Sequence, residues 1–410
     1  MRTKFFNLLT LGMALAFFLM PAAGLGQEPI KIGLISTLSG TYAQPGNDSL
    51  NGAIYYLEKI GYTMAGRKVE LTSEDEEAFP STALAKARKL VELNKVHVLV
   101  GPLLTNCAYA VQPYQEAKKV PGLIIASADD LTQRKRGKWS IRLCFSSSQP
   151  MQPFGEYAYK VLGLRKVAVL AADYAFGWEV VGGFHKTFEE AGGKIVQKIW
   201  FPITTADFSP YLTQLRRDAD AMFSQMGGKS AVVLNKQFQD YGLKEKMASI
   251  GLMQVTDESI LPTMGDEAVG MITAGNYSGA LDNRLNKEFV SGYKQRFGKI
   301  PSLFSEFHYD CMNAIHQAVN SLKGDVSNPE KLMNALKSVE LKETPRGPLK
   351  LDAYGNVVQN IYIRKTERVG GELQNTVIYT YPEVSQFWKY KPEEFLKQPV
   401  YSRDYPPLKP

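Results

Sequence analysis

The sequence predicts an α/β protein of two successive lobes with a ligand held between them. Three observations carry this reading. Ile30–Ser36 is a short apolar run suited to a strand covered on both faces. A small-residue loop follows, with Ser39, Gly40, Thr41, Tyr42 and Gly46. Then Leu50, Ile54 and Leu57 recur at i, i+4 and i+7, the stripe of a helix opened by Asn47, Asp48 or Ser49. Strand–helix alternation continues to Ser127, pauses over Ser140–Gln149, and restarts at Lys166–Ala172 with a second loop, Asp173–Gly177.

In the first lobe, Val69–Ser73, Val96–Val100 and Gly122–Ser127 read as further strands. Ser81 caps one helix, and Thr105-Asn106 can cap another that Pro113 breaks or kinks. In the second lobe, Lys194–Phe201, Ala219–Gln225 and Met271–Tyr277 read as strands. Trp178–Ala191, Ser209–Arg217 and Lys229–Tyr241 read as helices, followed by helices over 286–297, 306–321 and 329–338. Gly347–Tyr381 alternates like antiparallel strands, with a turn at Asp352–Asn356. From Pro382 a Pro- and aromatic-rich tail is laid over the surface. Open parallel sheets bind ligands at the carboxyl ends of their strands, and lobe interfaces are favoured pocket sites.

At 410 residues the chain is long for one core and comfortable for two. Arg2 and Lys4, the apolar Leu8–Met20 and the small residues of Pro21–Gly26 predict a signal peptide over residues 1–26. No later segment is apolar and long enough to span a membrane. The net charge of +7 falls by two when Arg2 and Lys4 leave. Its densest basic run, Arg134–Lys138, reads as a solvated turn, and nucleic acid is excluded as a partner. Cys107, Cys144 and Cys311 allow one pair, Cys107–Cys144 first, or three buried free thiols.

Catalytic motifs are missing. There is no Walker loop, no Gly-x-Ser-x-Gly elbow and no dinucleotide fingerprint after the first strand. Ser36 and Ser39 have no nearby histidine, which argues against an exported enzyme. His97, His185, His308 and His316 are scattered, so no metal and no cofactor are expected. The acidic run Glu74–Glu77 reads as a solvated loop. Asp257-Glu258 falls near the second lobe's loop edge, to contact a ligand or to cap a helix near Ser259.

The segments KIGLISTLSGTYAQPGNDSLNGA, LVGPLLTNCAYAVQPYQEAKKVPGLI and ADYAFGWEVVGGFHKTFEEAGGKIV closely resemble the branched-chain amino-acid-binding (type I) solute-binding proteins of ABC transporters. The likeness runs from about Lys31 to Tyr381. It implies two Rossmann-like lobes joined by a three-strand hinge, with a first lobe of 27–147 and 277–346, a second of 148–276 and 347–381, and a tail of 382–410. It implies a monomeric, non-catalytic receptor in the periplasm that closes on a small carboxylate ligand and delivers it to the transmembrane permease. A ligand-sensing subunit of a signalling system is the alternative role.

Carried over residue by residue, the resemblance puts Tyr42 in the first wall, because Pro45 stands where an aromatic often lies. Thr105 and Asn106 match the helix start that binds the ligand carboxylate, and Ala126 and Ser127 complete that anion site. Phe176 and Phe304 match aromatics covering the ligand, Met226 lines the second-lobe wall, and Asp257 is the candidate for an ammonium. No Cys in Glu76–Phe79 is available to form the early disulfide of some members with Cys107. ADYAFGW, DFSPYL and the Tyr/Pro-rich tail look more like the subgroup associated with aromatic acids than like leucine binders.

Overall fold

The computed structural model describes residues 28–409. The expected signal peptide lies outside them. The first sheet is built from β1 (Ile30–Ser36), β2 (Thr63–Met64), β3 (Arg67–Asp75), β4 (Val98–Val100), β5 (Gly122–Ile124) and β6 (Ser140–Arg142), in the order β2-β3-β1-β4-β5-β6. Its pairings are parallel except for the short β2–β3 ribbon. Leu34 and Ile35, on opposite faces, are both fully buried, as a strand covered on both faces requires. The helices woven between these strands are α1 (Ala43–Lys59), α2 (Pro80–Arg88) and α3 (Thr105–Lys118).

The chain then passes through α4 (Met151–Lys160) into a second sheet. Here β7 (Lys166–Ala172), β8 (Lys194–Phe201), β9 (Ala221–Gln225), β10 (Ala248–Leu252) and β11 (Ile272–Gly275) run parallel in the order β11-β10-β9-β7-β8. α5 (Ala175–Glu190), α6 (Ser209–Thr213) and α7 (Gly228–Asp240) connect them. The chain next returns to the first sheet's side with α8 (Arg284–Phe297), α9 (Leu303–Ser321) and α10 (Pro329–Lys337). Arg296 pairs with Glu58, and the Tyr56 hydroxyl donates to Asn313 at 3.1 Å. α1 and α9 approach closely at Gly52, where a Cβ would stand 2.0 Å from the Ser305 carbonyl oxygen. β12 (Lys350–Leu351), β13 (Val357–Val369) and β14 (Glu372–Val384) finish the second sheet in antiparallel fashion.

Three segments cross between the sheets, near residues 143–150, 276–283 and 341–356, and polar side chains knit them together. The Cys144 carbonyl accepts from Asn276 at 3.0 Å and from Gln359 at 2.8 Å. Gln149 donates to the Val357 and Val384 carbonyls, each at 2.8 Å. Beside them Arg346 is wholly buried. It donates to Glu306 at 2.8 Å and to the Leu143 carbonyl, with Asp310 at 3.6 Å. Burial pushes the Glu306 carboxyl well above the ordinary range.

The tail includes α11 (Pro392–Phe395) and buries Phe387, Phe395 and Tyr401 against one another. It is bound to both sides. Arg134 donates to the Gln398 carbonyl at 2.7 Å, and Lys409 pairs with Glu189 at 3.0 Å. The basic run is a turn with Lys135, Arg136 and Lys138 exposed, as expected; in addition Arg134 ties down the tail, and Arg136 stacks over Tyr354 at 4.4 Å.

Three expectations are corrected, and one open alternative is decided. α1 starts at Ala43, because Pro45 suits a first turn; Asp48 is instead bound by Lys299, and Ser49 donates to the Pro45 carbonyl. α3 runs through Pro113 to Lys118. Of the two arrangements open to the cysteines, the structure has three buried free thiols. Glu74 and Glu76 are buried, Glu74 between Lys86 and Lys89, so the acidic run is the packed end of β3 rather than a solvated loop.

Candidate ligand-binding site

A cavity of about 510 Å³ opens between the carboxyl ends of the two parallel sheets. That is within the roughly 300–1,000 Å³ of small-molecule sites. The geometry follows from topology. A helix after a parallel strand begins at the strand's carboxyl end, so four helix N-termini converge here: α1 at Tyr42–Pro45, α3 at Leu104-Thr105, α5 at Tyr174–Phe176 and α7 at Gly227–Ser230.

None of the four carries a side-chain cap. α8, α9 and α10 are capped by Asn283, Ser302 and Asn328, whereas α2, α4, α6 and α11, which start away from the cavity, also lack a side-chain cap. First-turn N–H groups have no partner inside their own helix. Those facing the cavity thus remain free to meet an anion, with the helix dipoles in support.

The walls are aromatic. Phe145 stands 6.4 Å from Phe176 and 5.7 Å from Phe307, ring centre to ring centre; Tyr174 lies 5.9 Å from Phe176, and Phe304 6.4 Å from Phe307. Phe176 and Tyr174 come from the second sheet's side, Phe304 and Phe307 from α9, and Phe145 from the first crossing. Together they form a belt around a flat space. Tyr42 and Tyr174 face each other from opposite sides, and burial raises both phenols.

Of the residues expected from sequence, Tyr42, Thr105, Ser127, Phe176, Met226, Asp257 and Phe304 line this cavity. Asn106 and Ala126 do not. One residue further along α3 is rotated by about 100°, so Asn106 faces out and donates to the Ala78 carbonyl at 3.3 Å. The Ala126 methyl packs with Ile124 and Leu131, while its carbonyl accepts from Arg142 at 3.2 Å. Asp257 accepts from the Leu303 N–H at 3.1 Å and from the Ser259 N–H at 3.0 Å, and also binds the Ser259 hydroxyl. Burial, with Glu258 beside it, pushes its carboxyl up to about 7.

Phe145, Tyr174, Phe307, Gln225, Gln254, Lys229 and Ser230 also line the cavity, and sequence reasoning missed them. Gln225 is the last residue of β9 and Tyr174 immediately precedes α5. Position at a strand's carboxyl end was the available signal for both.

A family model described as periplasmic binding protein matches residues 29–371. The Leu/Ile/Val-binding protein homolog 6 of Brucella melitensis biotype 1 is 29% identical over 376 residues, covering 90% of this chain and 95% of its own. A solute-binding protein of an ABC transporter from Rhodopseudomonas palustris BisB5, solved in complex with 3,4-dihydroxybenzoic acid, superposes with a TM-score of 0.83 at 35% identity, over 87% of this chain and 98% of that one. One from Rhodopseudomonas palustris HaA2, in complex with p-hydroxybenzoic acid, gives 0.82 at 29% identity, over 88% and 99%. Two parallel-sheet lobes around one cavity, together with a family match over most of the chain, lead to one conclusion: this chain belongs to the periplasmic binding protein family, and it is similar to the substrate-binding proteins of ABC transporters.

Proposed function

We propose that this protein is the solute receptor of an ABC importer and that its ligand is a small aromatic carboxylate of the hydroxybenzoate type. The observation that carries the reading is the pairing of an aromatic belt with four uncapped helix N-termini in one cavity. The belt suits a flat ring, and the helix starts suit a carboxylate. Asp257, the acidic residue on the wall, already accepts hydrogen bonds on both oxygens. An amino-acid ammonium would have to compete with those bonds for its counter-charge. The ligands of the two Rhodopseudomonas palustris proteins support the same class.

In this reading the mature chain, freed of residues 1–26, works in the periplasm as a monomer and catalyses nothing. The lobes, 27–147 with 277–346 and 148–276 with 347–381, rotate about the three crossings, close over the ligand and present it to the permease.

A thermal-shift screen tests it. 4-Hydroxybenzoate and 3,4-dihydroxybenzoate are expected to raise Tm by several degrees, since a hundredfold excess over Kd adds about 2.7 kcal/mol. Leucine, isoleucine and valine are expected to leave it unchanged, and a response to these amino acids alone overturns the assignment. Thr105→Ala is expected to weaken 4-hydroxybenzoate about tenfold or more, as loss of a hydroxyl bonded to a charged group costs roughly 1.5–3 kcal/mol. Calorimetry showing unchanged affinity removes Thr105 from the anion site.

A further inference from the structure

The packed end of β3 places a carboxyl directly behind the anion site. Glu76 is fully buried but lies off the cavity wall. Its Oε1 accepts from the Thr37 hydroxyl at 2.7 Å and from the Leu104 N–H at 3.1 Å. Leu104 is the N-cap residue of α3, and both Leu104 and Thr105 line the cavity. The second oxygen, Oε2, has no hydrogen-bond partner. Glu76 therefore approaches the α3 N-terminus from inside the lobe, while the cavity opens onto it from the other side.

The groups around Glu76 include no cation in contact. Thr37 faces it from the end of β1, and the Leu103 and Leu104 N–H groups and the Cys107 thiol from α3 and its lead-in. On its own segment stand Asp75, which binds the Leu38 and Glu77 N–H groups, and Glu77. Lys86, from α2, is engaged with Glu74 at 3.0 Å. Burial pushes the Glu76 carboxyl up to about 7, and burial together with Glu76 itself pushes the Cys107 thiol up.

We propose that Glu76 is a positioning residue of the anion site and that an anionic ligand is captured together with a proton taken up on its Oε2. The inference rests on the carboxylate reading above. Two anions sharing one helix start in a low-dielectric interior repel, so seating a carboxylate at Thr105 favours the neutral form of Glu76. The proton comes from solvent and removes the charge from the partnerless oxygen. The sign follows: the ligand binds tightest while Glu76 is protonated, and affinity falls as pH rises through and above its titration. Asp257, titrating in the same range, faces Glu258 and the α9 N-terminus on the far side of the cavity and is the competing source of a proton.

Titration calorimetry of the mature protein with 4-hydroxybenzoate at pH 7.5, in phosphate and in Tris, reads the proton directly. The two buffers differ widely in ionisation enthalpy. The expected result is a buffer-dependent enthalpy equivalent to uptake of about half to one proton per ligand, with affinity falling by up to about tenfold per pH unit between pH 7 and 8.5. Glu76→Gln, which keeps an acceptor for Thr37 and Leu104, is expected to bind with both dependences abolished. A buffer-independent enthalpy in the unaltered protein overturns the proposal, whatever the variant does. Uptake that persists in Glu76→Gln and disappears in Asp257→Asn overturns it in favour of Asp257. Binding without proton uptake leaves the carboxylate reading standing, whereas failure of 4-hydroxybenzoate to bind at any pH overturns both.

Discussion

Replacing Arg346 by alanine is expected to cost about 3–5 kcal/mol of folding stability, among the largest effects of any single substitution in this chain. Arg346 is fully buried where the crossing segments meet. It is the cation facing two fully buried carboxyls, Glu306 at 2.8 Å and Asp310 at 3.6 Å, and it also donates to the Leu143 carbonyl in the first crossing. Its removal leaves that carbonyl without this donor and the two carboxyls without a counter-charge, while opening a hole beside Phe307, whose ring lies 5.0 Å from the guanidinium. Arg346→Lys keeps the charge but not the planar fork, and is expected to fall between the two. Denaturant titration measures both. A shift below about 1 kcal/mol for the alanine variant would show that the cluster contributes little.

The largest expected effect on affinity comes from Phe176→Ala. Phe176 is almost wholly buried, touches Phe145 and Tyr174, and forms part of the cavity wall. Losing one aromatic wall removes about 2–3 kcal/mol of contact with a ring-shaped ligand. That corresponds to roughly 30- to 150-fold weaker binding of 4-hydroxybenzoate. Phe176→Leu, which restores bulk but not the ring face, is expected to recover part of it. Calorimetry on both variants decides the matter; equal affinity in Phe176→Ala and the unaltered protein excludes Phe176 from ligand contact.

Elements bounded by abrupt changes of polarity were legible in the sequence. Lys166–Ala172 and Lys194–Phe201 are strands at the expected limits, because short apolar or β-branched runs stop at polar or turn residues. α4 was not legible. Its Pro153 sits in the first turn, and at Gly155 a Cβ would stand 2.4 Å from the Phe184 carbonyl oxygen. That glycine is required by the contact with α5, a demand that no local pattern expresses.

The site divides in the same way. Thr105 and Phe176, expected from the resemblance, follow β4 and β7, and that position brings them to the cavity edge. Asn106 failed because adjacent helical residues point in different directions, and Ala126 because β5 ends before it. Glu76 was misread for a further reason. A run of four acids looks solvated, while strand alternation buries Glu74 and Glu76 and leaves Asp75 and Glu77 less covered.

The uncapped helix starts also bear on how this protein can be stabilised. A serine or aspartate cap is worth about 1 kcal/mol, and four vacancies around one cavity look like an easy route to a hardier protein. Yet each cap would occupy first-turn N–H groups that face the cavity and that the proposed carboxylate would use. In the proposed carboxylate reading, the ligand is what meets these four uncapped helix starts. In that reading stability gained there without ligand is affinity lost, and durable variants of this protein should be sought at the uncapped starts of α2, α4, α6 and α11, which lie off the cavity wall.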